Sequence, residues 1–125
     1  MTVRLDHTIV PARNKVVSAR FFAELFGLAF EGVKDNFAPV RVNDGLTLDF
    51  EDRPVLESHH YAFHISDAEF DAILGRVKAR GLSYGSGPFD PRNGQINTRR
   101  GGRGFYFEDP SGHLLEVMTV PETGS

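Results

Sequence analysis

A chain of 125 residues with 40% hydrophobic content and eleven phenylalanines is sized for about one globular domain with a real core, which excludes a disordered chain. It contains no cysteine, so a disulfide framework, a thiolate zinc site and a cysteine nucleophile are excluded, and any metal must be held by His, Asp and Glu. The net charge of −3, with basic residues mostly scattered, argues against nucleic acid or an anionic membrane as the main partner. There is no basic-then-apolar leader and no apolar run approaching about 18 residues, so a cytoplasmic protein is the expectation.

The first predicted strand runs from about Val3 to Val10, with His7 and Ile9 on one face, and Pro11 ends it. Asn14 caps a predicted helix through about Phe26, in which Val17, Phe21 and Leu25 recur at one-turn spacing and Gly27 is the stop. Three short strands follow, Ala29 to Val33, Ala38 to Val42 and Leu46 to Glu51, the last two joined by the turn Asn43, Asp44, Gly45. In the last of these Asp49 alternates with Leu48 and Phe50, so it points away from the side that a helix covers.

After the polar connection Asp52 to Ser58 the pattern starts again. A strand from His59 to Ile65 puts His60 and His64 on one face and His59 on the other, structural or exposed. Ser66 and Glu69 form a capping box for a helix whose apolar stripe is Phe70, Ile73, Leu74 and Val77, closed by Gly81. Leu82 to Tyr84 begins another strand, and Gly85 to Asn93 is a Gly- and Pro-rich loop. Strands at about Gly104 to Glu108 and His113 to Thr119 complete the fold, with His113 in the turn expected to be solvated and a disordered tail at 121–125.

Glu116 lies inside the last apolar run, sharing a face with Leu114 and Met118. An unpaired carboxylate there would cost several kcal/mol, so a cationic partner is required. An Arg or Lys satisfies that need as an ordinary ion pair. His7 and His60, however, sit in similar strands, and two imidazoles with one carboxylate suit a divalent metal.

The chain also reads as duplicated. The helix exits GLAF at Gly27 and GLSY at Gly81 match, and the hairpins DGLTLDF and SGHLLEV set Gly45 against Gly112 and Asp49 against Glu116. The expected architecture is α+β, two βαβββ modules at about 1–52 and 58–120 within one domain spanning 1–120.

On LDHTIV from Leu5, SARFFAELFGL from Ser18, HHYAFHISD from His59 and FYFEDPSGHLLEVMT from Phe105, the chain resembles the vicinal oxygen chelate superfamily. That superfamily includes glyoxalase I, extradiol dioxygenases, fosfomycin-modifying enzymes and bleomycin-binding proteins. The resemblance implies a cupped mixed sheet with helices on its outer side around one divalent ion, Fe, Mn, Ni or Zn. It carries the ligand roles onto His7, His60 and Glu116, and pseudo-symmetry adds Asp49 as a fourth ligand or a base.

His64 and Tyr106 share the parity of the cup-facing positions and are candidates for proton transfer or hydrogen bonding to substrate, with plain packing as the other reading. Arg41, Arg99, Arg100 and Arg103 are the candidates for an anionic group, against a merely solvated basic surface. Pro11 and Arg53 stand where bacterial glyoxalase I carries Arg and Asn for glutathione, which argues against glutathione as substrate. The implied function is a metal-dependent enzyme, lyase, isomerase or oxygenase, acting on a small oxygen-rich and anionic substrate. The alternative is an antibiotic-binding resistance protein of the bleomycin or fosfomycin type. An isologous homodimer is expected from the open sheet edges and the superfamily habit.

Overall fold

The computed structural model describes residues 2–122, which fall into two units that divide between Glu57 and Ser58. Residues 123–125 of the tail expected to be disordered lie outside the described residues. Each unit is a three-stranded mixed sheet with one helix, an α+β architecture as the sequence implies.

In the first unit, β1 (His7–Ala12), α1 (Lys15–Phe26), β2 (Phe37–Asn43) and β3 (Leu46–Asp52) form a sheet of order β1-β3-β2. β3 is central, parallel to β1 and antiparallel to β2. The helix begins where expected because the Asn14 side chain accepts the Val16 and Val17 N–H groups at 3.1 Å. Asp52, at the end of β3, accepts the Lys15 N–H at 2.7 Å and so ties the helix start to the sheet. Gly27, at φ 70°, supplies the left-handed residue that ends the helix. Phe21, Phe22 and Leu25 are buried, and the Phe22 ring stands 6.0 Å from that of Phe50. Leu48 and Phe50 therefore face the helix, while Thr47, Asp49 and Glu51 share the opposite, half-buried face.

Three details differ from the sequence reading. Pro11 does not end β1 but lies within it. The carbonyls of Asp6 and Ala12 accept N–H groups from Thr47 and Arg53, so even-numbered backbone groups face β3 and the donor that proline lacks points away from it. Residues 29–33 form no strand, and only an isolated bridge, Lys34 to Phe37, remains of that pairing. Val17, placed in the apolar stripe, is half exposed.

In the second unit, β4 (His60–His64), α2 (Asp67–Ala79), β5 (Gly104–Glu108) and β6 (Leu114–Met118) repeat the arrangement with order β4-β6-β5. β6 is central, parallel to β4 and antiparallel to β5. Phe70 of α2 meets Phe105 edge-on at 5.3 Å, and Phe105, Phe107, Leu115 and Val117 are buried on that side. Tyr106 and Glu116 have the other parity, so they lie on the face away from the helix. Residues 82–84 form no strand; the chain pairs instead through a bridge between Gly85 and Tyr106. The bridge needs a glycine, because a Cβ on residue 85 would stand 1.9 Å from the Asp90 carbonyl oxygen.

The capping box at α2 is complete: Ser66 Oγ accepts the Glu69 N–H at 3.1 Å and Glu69 Oε1 accepts the Ser66 N–H at 2.8 Å. The bond from the Ser66 backbone, with that from its hydroxyl, holds the Glu69 carboxyl below its ordinary pKa of 4.5. A carboxyl with a depressed folded pKa adds stability that is present above the unfolded value and lost as pH falls through the folded one. We therefore expect Ser66→Ala to cost about 1 kcal/mol in urea unfolding at neutral pH. That difference should shrink as pH is lowered below 4.5.

Candidate active site

The face of the second unit away from α2 gathers four of the residues singled out from the sequence. Glu116 occupies the middle of the central strand, directly opposite Ala62 on one side and Tyr106 on the other. It is buried, 9% exposed, and is compensated from two sides. His60 Nε2 donates to its Oε1 at 2.9 Å, and Arg99 Nη1 stands 3.9 Å from its Oε2. The same Arg99 nitrogen donates to the Tyr106 hydroxyl at 2.6 Å. Burial raises the Tyr106 pKa and the Glu116 charge adds to it, while the Arg99 hydrogen bond pulls the other way. Tyr106 therefore stays a phenol at neutral pH.

The first unit carries the equivalent positions. His7 lies two residues before Ile9, which pairs with Asp49, just as His60 lies two before Ala62, which pairs with Glu116. His7 donates from Nδ1 to Asp6 at 2.8 Å. That bond, helped by the charges of Asp6 and Asp49, holds the imidazole pKa above its ordinary value. Asp6 was legible as the residue before His7, yet adjacency alone assigns it no role. Asp49 makes no ion pair with either arginine near it: Arg41 donates to Thr47 and the Asp44 carbonyl, and Arg53 pairs with Glu51.

The remaining candidates are spread out. Arg103 is committed to helix α2, donating to Asp71 at 2.8 Å and Asp67 at 3.0 Å with its guanidinium 4.3 Å from the Phe70 ring centroid. Arg100 lies 3.9 Å from Glu122 in the short 3-10 turn Arg99–Gly101. His64 donates Nε2 to the Thr119 carbonyl at 3.1 Å and is exposed. His59 is exposed, one of the two outcomes its parity allowed.

His113 reverses the expectation of a solvated turn residue, for it is fully buried. Its Nδ1 accepts the His59 N–H at 2.9 Å, and Asp109 Oδ1 accepts the His113 N–H at 2.8 Å and the Ser111 N–H at 2.9 Å. Burial lifts the Asp109 pKa, which the N–H bonds of His113, Ser111 and Gly112 oppose. The turn needs these buried polar groups because the hairpin folds its own backbone inward. A turn composition gives no sign of that.

Among the described residues no group of three or more His, Asp and Glu side chains stands close enough to hold a metal ion. What the chain offers is an imidazole and a carboxylate in contact, His60 with Glu116. A second imidazole, His7, has its Nδ1 committed to Asp6 and its Nε2 left over. Neutral nitrogen and carboxylate oxygen donors of this kind suit borderline divalent ions, and a carboxylate partner on the far ring nitrogen is the usual support of a metal-binding histidine. The donor chemistry fits the group that the sequence resemblance implies.

The family model of the Glyoxalase/Bleomycin resistance protein/Dioxygenase superfamily matches residues 4–117, and the chain belongs to that superfamily. The solved structure of Oxidase ChaP-H2 is similar at 48% identity and a TM-score of 0.92, covering 97% of this chain and 96% of that one. Metallothiol transferase FosB of Shouchella clausii (strain KSM-K16) is 36% identical over 72 residues, 57% of this chain and 45% of that protein. The chain thus spans under half the length of that relative. Glutathione transferase FosA of Serratia marcescens is 26% identical over 124 residues, 94% of this chain and 81% of that protein. Among the described residues no helix is long and apolar enough to cross a membrane.

Replacing the buried His113 by alanine empties a ring-sized space and strands the His59 N–H. The expected loss is about 2–4 kcal/mol in urea unfolding. The same change at exposed His59 should cost much less.

Proposed function

We propose that this chain is a divalent-metal-dependent enzyme acting on a small oxygen-rich, anionic substrate, and that its chemistry is of the oxidase type. The observation that carries the metal reading is the contact of His60 Nε2 with Glu116 Oε1 at 2.9 Å on a strand face otherwise lined by Tyr106 and Arg99. In the first unit His7 keeps Nε2 as a donor, with Asp6 fixing the ring. A bound ion of the iron, manganese, nickel or zinc type supplies polarisation of adjacent substrate oxygens and, for iron, electron transfer.

The protein's own groups do the rest. His60 Nε2 and the Glu116 carboxylate would hold the ion, the ring then carrying its proton on Nδ1. Arg99 faces the anionic group of the substrate with its exposed edge and Arg100 adds charge beside it, while Arg41, tied to its own hairpin, contributes at most field. The oxygen of Tyr106 accepts from Arg99, which turns its single proton toward the Glu116 carboxylate or a substrate oxygen on that face. His64 keeps Nδ1 for proton transfer, its Nε2 being held by Thr119. Asp49, on the strand beside His7, would serve as a base rather than as a substrate-binding group.

The oxidase reading is supported by the whole-chain likeness to Oxidase ChaP-H2, which exceeds in identity and extent the likeness to the two transferases. The second reading, thiol or other nucleophile addition to an antibiotic, is favoured by the 36% identity to a metallothiol transferase over 72 residues. Oxygen uptake by the iron-loaded chain with vicinal diols and α-ketoacids, compared with thiol-dependent loss of an epoxide by the manganese-loaded chain, separates the two. Uptake without epoxide loss supports the first reading, and the reverse result overturns it. We also place the enzyme in an isologous homodimer, for which light scattering at micromolar concentration is the check.

His60→Ala and Glu116→Ala should each lower metal affinity roughly tenfold or more, read as metal content after purification without chelator. Asp49→Asn should keep its metal and lose turnover, because an amide cannot accept the proton. Loss of metal in Asp49→Asn would instead make it a ligand.

A further inference from the structure

The loop between α2 and β5 contains a polar network that the chemistry above does not use. Both its ends are bonded to β5: Gly85 and Tyr106 exchange N–H to carbonyl bonds of 2.9 and 2.8 Å, and Asn97 and Gly104 exchange bonds of 2.8 and 3.0 Å. Between these anchors the Asn97 side chain forms a bridge. Its Nδ2 donates to the Ser86 carbonyl at 3.1 Å, and its Oδ1 accepts the Arg99 N–H at 3.3 Å. The Ser86 carbonyl also accepts from Arg99 Nη2 at 3.3 Å, while Nη1 of the same guanidinium donates to Tyr106. Asn93 holds Ser86 from the other side, donating to its Oγ at 2.8 Å and accepting its N–H at 3.1 Å.

We propose that Asn97 is a positioning residue: it fixes the Ser86 carbonyl and the Arg99 backbone together, and so aims the Arg99 guanidinium at the Tyr106 hydroxyl. An arginine side chain that is 43% exposed has many rotamers open to it. Two acceptors at fixed points, the Ser86 carbonyl and the Tyr106 oxygen, match the planar fork in one of them. Beyond the Gly85 anchor, Asn97 and Asn93 hold the Ser86 segment that presents this carbonyl. Gly104 makes room for this arrangement, since a Cβ at that position would stand 3.0 Å from Asn97 Oδ1. The consequence for chemistry is that the Tyr106 proton is turned away from Arg99. The inference rests on the reading of Arg99 and Tyr106 as substrate-handling groups, but its geometry belongs to the protein without metal.

The test is side-chain NMR of the full-length chain purified without metal. Arg99 Nη signals are assigned by their loss in Arg99→Lys and the Tyr106 ring Cζ signal by its loss in Tyr106→Phe. In the wild type, rotation of the Arg99 guanidinium should be slow. In Asn97→Ala it should become fast, and the Tyr106 Cζ shift should move to its value in Arg99→Leu, with the amide signals of β4 and β6 unchanged. The double variant Asn97→Ala/Arg99→Leu should match Arg99→Leu alone at Tyr106, because Asn97 acts through Arg99. Asn97→Asp, which keeps the shape and the Oδ1 acceptor but cannot donate to Ser86, should also free Arg99. It serves if the alanine variant fails to fold. Unchanged Arg99 signals in both variants, or a further Tyr106 shift in the double variant, would overturn the proposal. Adding zinc to the same wild-type sample reports on His60 and Glu116 separately, so failure to bind metal leaves the Asn97 result standing.

Discussion

A carboxylate in the middle of a central β-strand sets the terms for the second unit. Glu116 has Leu115 and Val117 as neighbours in sequence and is itself buried, so its charge must be met on the one face it points to. The sheet order β4-β6-β5 makes that possible, because it flanks β6 with His60 on one edge strand and Tyr106 on the other. Burial therefore selects the surrounding residues, and the same requirement for opposite charge makes the position suitable for a cation.

Arg99 joins the buried carboxylate to the exposed edge of the same face. It stands 3.9 Å from Glu116 and is bonded to Tyr106 at 2.6 Å, yet much of it remains exposed. An arginine in that position offsets a buried charge on its inner side and offers a free edge to solvent. Arg103, only four residues further on, has no such freedom because Asp67 and Asp71 hold it at the start of α2. There it pairs with both carboxylates and covers Phe70. Similar residues in one basic run thus divide between site and scaffold according to which element they face.

What was legible in the sequence followed from periodicity and caps. Asn14, Gly27 and the Ser66 and Glu69 pair mark the helix ends through local hydrogen bonds and backbone conformation, which are properties of a few adjacent residues. Strand parity placed Asp49, Tyr106 and Glu116 on the face away from the helices because alternation is set by the backbone alone. The parts that were not legible depend on partners distant in sequence. His113 looks like a solvated turn residue until β4 supplies the His59 N–H, and Asn97 looks like a loop polar group until Ser86 and Arg99 meet it. Pro11 reads as a strand end, and only its place on an edge strand, with its nitrogen turned outward, lets the strand continue.

The two units have the same sheet order and differ in what surrounds the equivalent carboxylates. Opposite Glu116 on the antiparallel neighbour stands Tyr106, whereas opposite Asp49 stands Pro39, which offers no side-chain hydrogen bond. The second unit has a long loop bonded back to β5 through Gly85 and Asn97; in the first unit the arginines of the hairpin close onto Thr47, Asp44 and Glu51 instead. Glu116 is consequently buried and partnered by His60 and Arg99, while Asp49 is half-buried and contributes its charge to His7. A carboxylate with a persistent cationic shell is suited to hold a fixed position, and one without such a shell is suited to exchange a proton. The two equivalent strand positions thus differ in the charge that meets them, although the sheet order around them is the same.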